Sequence, residues 1–397
     1  MNTERLICDR ARGVSASGIR RIFNLAAKLE DPINLSIGQP DFPVPAAVKR
    51  GAIEAIEQDK NGYTLTRGIA PLLGKINAHL KFDLGWDIAD GSEGSGVDSF
   101  VTSGTSGALT LAFLALMGPG DEAIIPDPYF AMYPYMATIA GGTAVRCDTY
   151  PDFRMTAERV EPLITEKTKF VLYNSPGNPS GVVGTVDECR DLLELCRSKG
   201  VLLISDEIYD EFTFKGGLTD VAKGDGKTPR CPSPARFDGA ENDVLLIRGF
   251  GKTYGFTGWR AGYAAGPEPV INAMTRIHQY TYVCAPSIVQ WGAMAAFDVD
   301  MSVHVDDFEQ RRDMVVDRLR EHTEVSVPEG AFYVFVKVPE RLGLTSNQFV
   351  DRCLEREVMV IPGSVFSDRD THFRVSFSAP RAKIEKGLDI ICELMQG

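Results

Sequence analysis

The chain has 397 residues, of which 44% are hydrophobic and 24% charged, and its formal net charge is −12. This composition is ordinary for a globular enzyme, and the length favours two domains, or one large domain with a smaller partner. The negative charge argues against nucleic acids and acidic membranes as partners, although it does not constrain a small substrate.

The sequence gives no sign of export, membrane insertion or metal binding. Charges fall within the first five residues, and the cysteines and histidines are scattered without metal-ligand spacing. No apolar run approaches the roughly 18 residues of a transmembrane helix. We therefore expect a reduced, cytoplasmic protein without a metal.

Short apolar runs alternate with helical periodicity in the middle of the chain. They are typical of strands buried on both faces of a mostly parallel sheet, and they lie at 123–125, 170–173, 201–204 and 244–247. A helix is predicted over 185–199, because Thr185 and Glu188 form a capping-box pattern and Gly200 follows the last turn. The pattern predicts a three-layer α/β large domain with a mostly parallel sheet.

The pattern changes near residue 286, where longer helical stretches precede two further apolar runs. Helices are predicted at 286–300, 304–321 and from about residue 380, and the apolar runs lie at 332–338 and 372–377. This order predicts a second, smaller α+β domain. Two polar, Gly-rich segments, 86–98 and 215–242, are predicted to be surface loops.

The segment from residue 249 to 263 is the most informative part of the sequence. It contains Lys252, Arg260 and five glycines. Lysine forms Schiff bases with carbonyl cofactors, and arginine binds phosphate bidentately. Together they indicate a cofactor with both an aldehyde and a phosphate, which is pyridoxal 5′-phosphate (PLP).

Polar residues follow two of the predicted strands, where ligands bind in open α/β sheets. Asp206 follows the strand VLLIS, and an aspartate there can keep the pyridine nitrogen of PLP protonated. The alternative for Asp206 is a solvated acid at a helix start. Asn178, in the loop NSPGNPSG after the strand FVLY, offers an amide donor, although such a loop can also be only a turn.

Three further motifs each allow two interpretations. Residues 102–108 begin a helix and can bind an anion or simply cap that helix. Phe130 follows another strand and can stack on a flat cofactor or pack in the core. Arg374 lies between apolar residues and can hold a substrate carboxylate or an internal acid. The joint order of all these motifs, rather than any one of them, favours a PLP enzyme.

With these motifs in this order along the chain, the sequence resembles the fold-type I PLP-dependent enzymes, specifically the class I/II aminotransferases of the aspartate aminotransferase superfamily. The resemblance spans nearly the whole chain. It is carried by the segments SGIRRIFNLA, LSIGQPDFPVP, NGYTLTRG, SGTSGAL, GPGDEAIIPDPYF, NSPGNPSG, SDEIYDEF, GFGKTYGFTGWRAGY and FRVSFS.

The resemblance implies catalytic roles for three residues. Lys252 is expected to hold PLP as an internal aldimine and then act as general base and acid, with its pKa lowered by burial and nearby arginines. Asp206 pairs with the pyridine nitrogen. Tyr209 hydrogen-bonds the phenolic oxygen of the ring, as does Asn178.

The resemblance also implies binding roles. The phosphate is expected at Arg260 and the 103–106 loop, through Ser103, Gly104 and Thr105. Phe130 stacks on the ring, with Tyr129 the less favoured choice. Arg374 holds the substrate α-carboxylate, helped by Asn178 and the backbone near Gly38. Tyr63 reaches the phosphate of a neighbouring subunit in a homodimer.

The family architecture further implies that residues 1–45 pack with a small domain at 286–397, while 46–285 form the large PLP-binding domain. One departure from the family pattern is that Gly249 and Gly251 replace hydroxyl residues near the lysine, so phosphate binding is expected to depend more on Arg260. Another is Ser106, where some relatives have a lysine that binds a distal carboxylate.

The expected function is therefore a PLP-dependent transfer of an amino group between an L-amino acid and a 2-oxo acid. A PLP-dependent C–S β-lyase or a related elimination enzyme is the alternative, since it needs the same lysine and aspartate. A regulatory binding protein is disfavoured because residues 1–45 leave no room for a winged-helix domain. A dehydrogenase is disfavoured because no GxGxxG follows the first strands.

Overall fold

The computed structural model describes residues 1–15, 18, 22, 31–88, 96–219 and 230–397. Most of the SGIRRIFNLA segment, the centre of the predicted loop at 86–98 and residues 220–229 of the second predicted loop therefore lie outside the described residues. No helix within the described ranges is long and apolar enough to cross a membrane. The cytoplasmic location stays a prediction from the sequence.

The strands of the described ranges fall into three sheets. They are β1 Ile33–Asn34, β2 Val97–Thr102, β3 Glu122–Asp127, β4 Thr143–Asp148, β5 Thr168–Asn174, β6 Leu202–Asp206, β7 Val244–Gly249, β8 Gly262–Pro267, β9 Tyr333–Lys337, β10 Val358–Met359, β11 Ile361–Pro362 and β12 His372–Ser376.

The α-helices of the same ranges lie mostly between these strands. They are α1 Asp9–Arg12, α2 Ala46–Glu57, α3 Ala70–Leu84, α4 Gly104–Leu116, α5 Tyr133–Ala140, α6 Ala157–Val160, α7 Val186–Lys199, α8 Phe250–Thr253, α9 Glu268–Thr281, α10 Ser287–Ala293, α11 Ser302–Arg320, α12 Ser346–Glu355 and α13 Arg381–Gln396.

The large sheet has the strand order β2–β8–β7–β6–β5–β3–β4. Strand β8 is antiparallel to both its neighbours, and the other pairs are parallel. The four predicted apolar runs lie in β3, β5, β6 and β7, so the mostly parallel sheet is confirmed. Because β5, β6 and β7 are adjacent, Asn174, Asp206 and Gly249 end side by side at one edge of the sheet.

Helix α7 shows how local sequence sets these elements. The Thr185 hydroxyl accepts a hydrogen bond from the Glu188 N–H at 3.1 Å, and the Glu188 carboxylate accepts one from the Thr185 N–H at 2.7 Å. Gly200 ends the helix at φ 66°, in the left-handed region that glycine adopts easily. The predicted helix and both its caps are confirmed.

The second part of the chain forms a three-stranded antiparallel sheet, β11–β12–β9. The predicted runs at 332–338 and 372–377 contain β9 and β12. Strand β1 pairs in parallel with β10, so the beginning of the chain is hydrogen-bonded to its end. The predicted domain limits at 46 and 286 stay predictions.

Two predictions of local structure are wrong. A continuous helix was predicted over 286–300, but the observed helix ends at Ala293. A separate helix, α11, begins at Ser302, where the Asp300 carboxylate accepts a hydrogen bond from the Ser302 N–H at 2.8 Å. Within the predicted loop at 215–242, residues 231–236 are buried rather than exposed. They are buried because Arg236 pairs there with Asp83.

Candidate active site

A cavity of about 210 Å³ opens at the carboxyl edge of β5, β6 and β7. The start of helix α4 forms one side, and residues of β9 and β12 form another. Most of the predicted site residues line it: Gly38, Gly104, Thr105, Phe130, Asn178, Asp206, Tyr209, Lys252, Arg260 and Arg374. The fold thus gathers residues that lie more than three hundred positions apart in the sequence.

Lys252 lies in the single-turn helix α8, directly after β7. Its ammonium donates a hydrogen bond to the Gly38 carbonyl. The pKa of Lys252 is lowered to about 7, first by burial and then by the charges of Arg374 and Arg260. A lysine with this pKa is available as a nucleophile and proton acceptor near neutral pH, and the predicted direction is confirmed.

Asp206 ends strand β6 and is only 3% exposed. Its Oδ2 accepts a hydrogen bond from the Tyr133 hydroxyl at 2.7 Å. Burial raises the pKa of Asp206 to about 6, although the Tyr133 hydrogen bond opposes the rise. The charged and polar groups that act on Asp206 are Tyr133, the Ile208 N–H and Glu207, with no cation of the described residues among them, so this buried acid lacks a positive partner that would keep it ionised.

Arg374, on β12, is a buried cation whose partners are neutral. Its Nη1 donates to Asn178 Oδ1 at 2.9 Å and its Nη2 to the Ser36 carbonyl at 2.8 Å, while Nε has no partner. Within the described residues it forms no ion pair with an acid, which disfavours the internal salt bridge. Burial lowers the pKa of Arg374, and a carboxylate entering the cavity would supply the missing counter-charge.

Asn178 and Tyr209 are held in place by neighbouring polar groups. The Asn178 N–H donates to Asn174 Oδ1 at 3.0 Å, and its own Oδ1 accepts from Arg374, which directs the amide NH₂ elsewhere. The Tyr209 hydroxyl lies 3.0 Å from the Tyr333 hydroxyl. Both predicted ring-contacting residues therefore line the cavity in fixed orientations.

The start of helix α4 and Arg260 form a positive end of the cavity. Gly104 has φ 69°, and a Cβ built there would lie 2.8 Å from an Arg260 guanidinium nitrogen. Backbone N–H groups at a helix start together with a guanidinium form an anion site. Thr105 and Ser106 line this end, whereas Ser103 occupies the cap position and is not among the lining residues.

Phe130 and Tyr129 lie differently, and the stacking of Phe130 on the cofactor ring stays a prediction. Phe130 lines the cavity, with its ring 5.6 Å from that of Tyr133 in an edge-on arrangement. Tyr129 is buried, and the guanidinium carbon of Arg146 lies 5.4 Å from the centre of the Tyr129 ring. Tyr129 lines a different cavity.

Tyr63 is not brought to the cavity of its own chain. Its side chain is 88% exposed. The loop that carries it is tied down by the buried Gln290, which donates to the Thr64 hydroxyl at 3.1 Å and accepts from the Ile69 N–H at 2.8 Å.

Sequence reasoning missed four polar residues that line the cavity, namely Tyr133, Tyr333, Asn174 and Thr257. Tyr133 was within reach of a spacing argument, since it follows Phe130 by one helical turn. Tyr333 gave no such signal, because its partner Tyr209 lies 124 positions away.

The fold and the site together define a class. A lysine with a lowered pKa, a buried aspartate and an anion site share one cavity at the carboxyl edge of a mostly parallel sheet, as PLP-dependent transferases require. The family described as aminotransferase class I and II matches residues 30–391. The chain belongs to this family.

Individual relatives agree along the whole chain. It is 35% identical to the aspartate aminotransferase of Thermotoga maritima, covering 96% of this chain and 98% of the relative. It is 30% identical to aromatic-amino-acid aminotransferase 2 of Thermococcus litoralis, covering 96% of each. The solved aspartate aminotransferase of Thermus thermophilus with maleate has a TM-score of 0.88 at 29% identity, covering 98% and 99%.

The protein is therefore a PLP-dependent aminotransferase, an enzyme of the transaminase type. Enzymes of this family use PLP, act on amino acids and 2-oxo acids and are typically dimeric. The comparisons do not favour the C–S lyase alternative.

Proposed function

We propose that this chain holds PLP in the cavity of about 210 Å³ and transfers the amino group of an amino acid whose α-carboxylate binds Arg374. The observation that carries the proposal is that Lys252 lines one cavity with Arg374 and Arg260, whose charges add to burial in lowering its pKa to about 7. One arginine suits the phosphate of the cofactor, and the other suits the carboxylate of the substrate.

The residues present fit PLP at three points. The Gly104 position would be filled by a Cβ, so only glycine leaves Arg260 and the helix start open to a phosphate. The buried Asp206 lacks a cationic partner among the described residues, which a protonated pyridine nitrogen supplies. Tyr209 and Asn178 offer the donors for a phenolic oxygen.

The two glycines near Lys252 have a steric explanation. A Cβ at Gly251 would lie 3.1 Å from the Thr257 Cα, and one at Gly249 would lie 2.9 Å from a methyl of Thr105. Hydroxyl residues do not fit here without movement of these neighbours. This supports the proposal that Arg260 and the start of α4 provide most of the phosphate binding.

In the proposed reaction the chain's residues bind, orient and move one proton. PLP, when bound, supplies an electron sink for the electron pair left at the substrate Cα. Lys252 Nζ accepts the Cα proton and later returns a proton, for which its lowered pKa is suited. The Asp206 carboxylate keeps the pyridine nitrogen protonated, and Arg374 holds the substrate carboxylate so that Cα faces the lysine.

The proposed substrates are an L-amino acid and a 2-oxo acid, and the proposal does not specify their side chains. Relatives named for aspartate and for aromatic amino acids are both similar to this chain. Ser106 lines the cavity where a lysine would offer charge to a second carboxylate. We infer that selection between side chains depends on other residues.

We also propose a homodimer with shared sites. Large apolar side chains are exposed on α2, on the loop that carries Tyr63 and at the end of α9: Ile53, Ile56, Leu65 and Tyr280. Such exposure is typical of a protein–protein interface. A second copy covering this face would accept Tyr63 near its phosphate site, since Tyr63 does not line the cavity of its own chain.

The domain limits form part of the same proposal. We infer that 46–285 is the PLP-binding domain and 286–397 the smaller one, with residues 1–45 packing on the latter. The pairing of β1 with β10 supports this arrangement.

Lys252→Ala tests the proposed function. We expect transamination to fall below detection, because Lys252 is the only lysine among the described residues that line the cavity. Lys215→Ala, which removes an exposed lysine paired with Asp306, is the matched control and should keep full activity. Wild-type turnover in Lys252→Ala would overturn the proposal.

A further inference from the structure

Tyr333 occupies a central place in the cavity that the proposed reaction has not yet used. It is the first residue of β9 and is 1% exposed. In the β9–β12 pairing Arg374 faces Phe335, and Tyr333 lies two residues along the same strand. Residues two apart share one face of a sheet, so Tyr333 and Arg374 project into the cavity together.

The ring of Tyr333 contacts the carboxylate-binding arginine. The Arg374 guanidinium carbon lies 4.2 Å from the ring centre of Tyr333 and 4.7 Å from that of Phe366. A desolvated guanidinium this close to aromatic rings is attracted by their π-electrons. These rings therefore fix the plane of a cation whose polar partners are all neutral.

The hydroxyl of Tyr333 contacts a different part of the site. It lies 3.0 Å from the Tyr209 hydroxyl, and both groups are buried. It also lies 2.4 Å from the position that a Cβ on Gly38 would take, next to the Lys252 ammonium that donates to Gly38. One side chain thus touches both the carboxylate end and the ring end of the cavity.

We propose that Tyr333 is a positioning residue that orients Arg374 with its ring and Tyr209 with its hydroxyl. The inference rests on the proposed function and deepens it. When Tyr209 donates its proton to the ring oxygen of the cofactor, its own oxygen is free to accept from Tyr333. The two hydroxyls then form a chain in which the first bond strengthens the second.

Two substitutions separate the two contacts. Tyr333→Phe keeps the ring and removes the hydroxyl, whereas Tyr333→Leu removes both. The first readout is the pH titration of the visible absorbance of PLP bound to the unliganded holoenzyme. The second is the dissociation constant of propionate, an unreactive carboxylate, followed by the same absorbance.

We expect Tyr333→Phe to raise the pKa of the bound cofactor by about half a unit, a roughly threefold change in proton affinity, because the anionic ring oxygen loses stabilisation. Its propionate affinity should stay within about twofold of the wild type. Tyr333→Leu should show the same pKa rise and also bind propionate about tenfold more weakly, since the ring contact with Arg374 is lost.

A double substitution tests whether the hydroxyl acts through Tyr209. In a Tyr209→Phe background, Tyr333→Phe should leave the cofactor pKa unchanged. Tyr173→Phe is the control, because it removes a buried hydroxyl that faces Cys189 outside the cavity.

The outcomes distinguish this inference from the proposed function. An unchanged cofactor pKa in Tyr333→Phe, or the same shift in Tyr173→Phe, would overturn the role of the hydroxyl while transamination persists. Unchanged propionate affinity in Tyr333→Leu would overturn the role of the ring. A wild-type chain that binds no PLP at Lys252 would instead overturn the proposed function.

Discussion

At the scale of single residues, the site depends on groups whose burial opposes their charge. Burial lowers the pKa of Lys252 and raises that of Asp206, so each shift favours the neutral form. For the lysine the neutral form is the useful one. For the aspartate it is not, and we infer that the cationic pyridine nitrogen restores the ionised state.

Asp206→Asn should separate these effects. An amide cannot keep the pyridine nitrogen protonated, so we expect kcat to fall by about 10²- to 10³-fold, as when one group that stabilises developing charge is removed. The measurement is steady-state transamination with the PLP-loaded variant at saturating substrate. A near-normal kcat would show that Asp206 is not the partner of the pyridine nitrogen.

The same variant has a pH signature in the PLP-free chain. Asp206 has a pKa of about 6 in the folded state against an ordinary value of 3.8, so the folded state binds its proton more tightly. The stability that this proton provides is complete below about pH 4 and is lost as pH rises through 6. The shift of about two units corresponds to about 3 kcal/mol. Urea unfolding of Asp206→Asn should lack this decline.

At the scale of elements, a buried ion network joins β6, which ends at Asp206, to β7, which directly precedes the helix of Lys252. Arg248, on β7, donates from Nη2 to Glu207 at 2.8 Å and from Nη1 to Asp83 at 2.8 Å. All three side chains are almost fully buried. Because Glu207 follows Asp206 directly, the pair fixes the carboxyl ends of β6 and β7 against each other.

Glu207→Gln should therefore destabilise the fold. The substitution removes a charge-assisted hydrogen bond to Arg248, which keeps Asp83 and Asp210 as acidic partners, and we expect a loss of about 1.5–3 kcal/mol in the free energy of unfolding. Arg356→Ala, which breaks the exposed pair with Glu393, should cost only about 0–1 kcal/mol. Chemical denaturation measures both, and equal losses would contradict this account.

The sequence predicted those elements whose determinants are local. The capping box and Gly200 define α7 within its own residues, and continuous apolar runs mark the strands of the parallel sheet. Elements shaped by distant contacts were not predictable in this way. Residues 231–236 lie in a segment predicted to be a surface loop, and distant contacts accompany their burial: Arg236 pairs with Asp83, 153 positions away, and the Trp86 indole donates to the Ala235 carbonyl.

The same distinction applies to the site. Lys252, Asp206 and Asn178 lie at the ends of strands or within four residues of them, so their place at one edge of the sheet follows from the sheet order. Tyr333 belongs to another sheet and meets Tyr209 only after both sheets have packed together. The contacts of Tyr333 therefore could not be predicted from the order of residues along the chain.

At the scale of the whole molecule, the proposed shared site predicts that two chains with different defects complement each other in one dimer. A subunit with Tyr63→Ala keeps Lys252, and a subunit with Lys252→Ala keeps Tyr63. If Tyr63 serves the neighbouring subunit, a mixed dimer contains one complete site and one that lacks both groups.

Co-expression with two affinity tags tests this arrangement. Purified mixed dimers should bind PLP at one site per dimer with wild-type affinity, while dimers of Tyr63→Ala alone should bind it more weakly at both sites. Mixed dimers that show only the weakened affinity would place Tyr63 outside the neighbouring site.

The carboxylate-binding role proposed for Arg374 has a consequence for how such enzymes diversify. Every amino acid and every 2-oxo acid in the reaction carries the same carboxylate, so an arginine that reads this group alone cannot distinguish donor from acceptor. Recognition of the carboxylate, which all substrates share, is thereby separated from recognition of the side chain, which differs between them. Substrate preference can then drift through changes elsewhere in the cavity while the anchoring of the substrate stays untouched, which suits relatives as different as aspartate and aromatic-amino-acid aminotransferases.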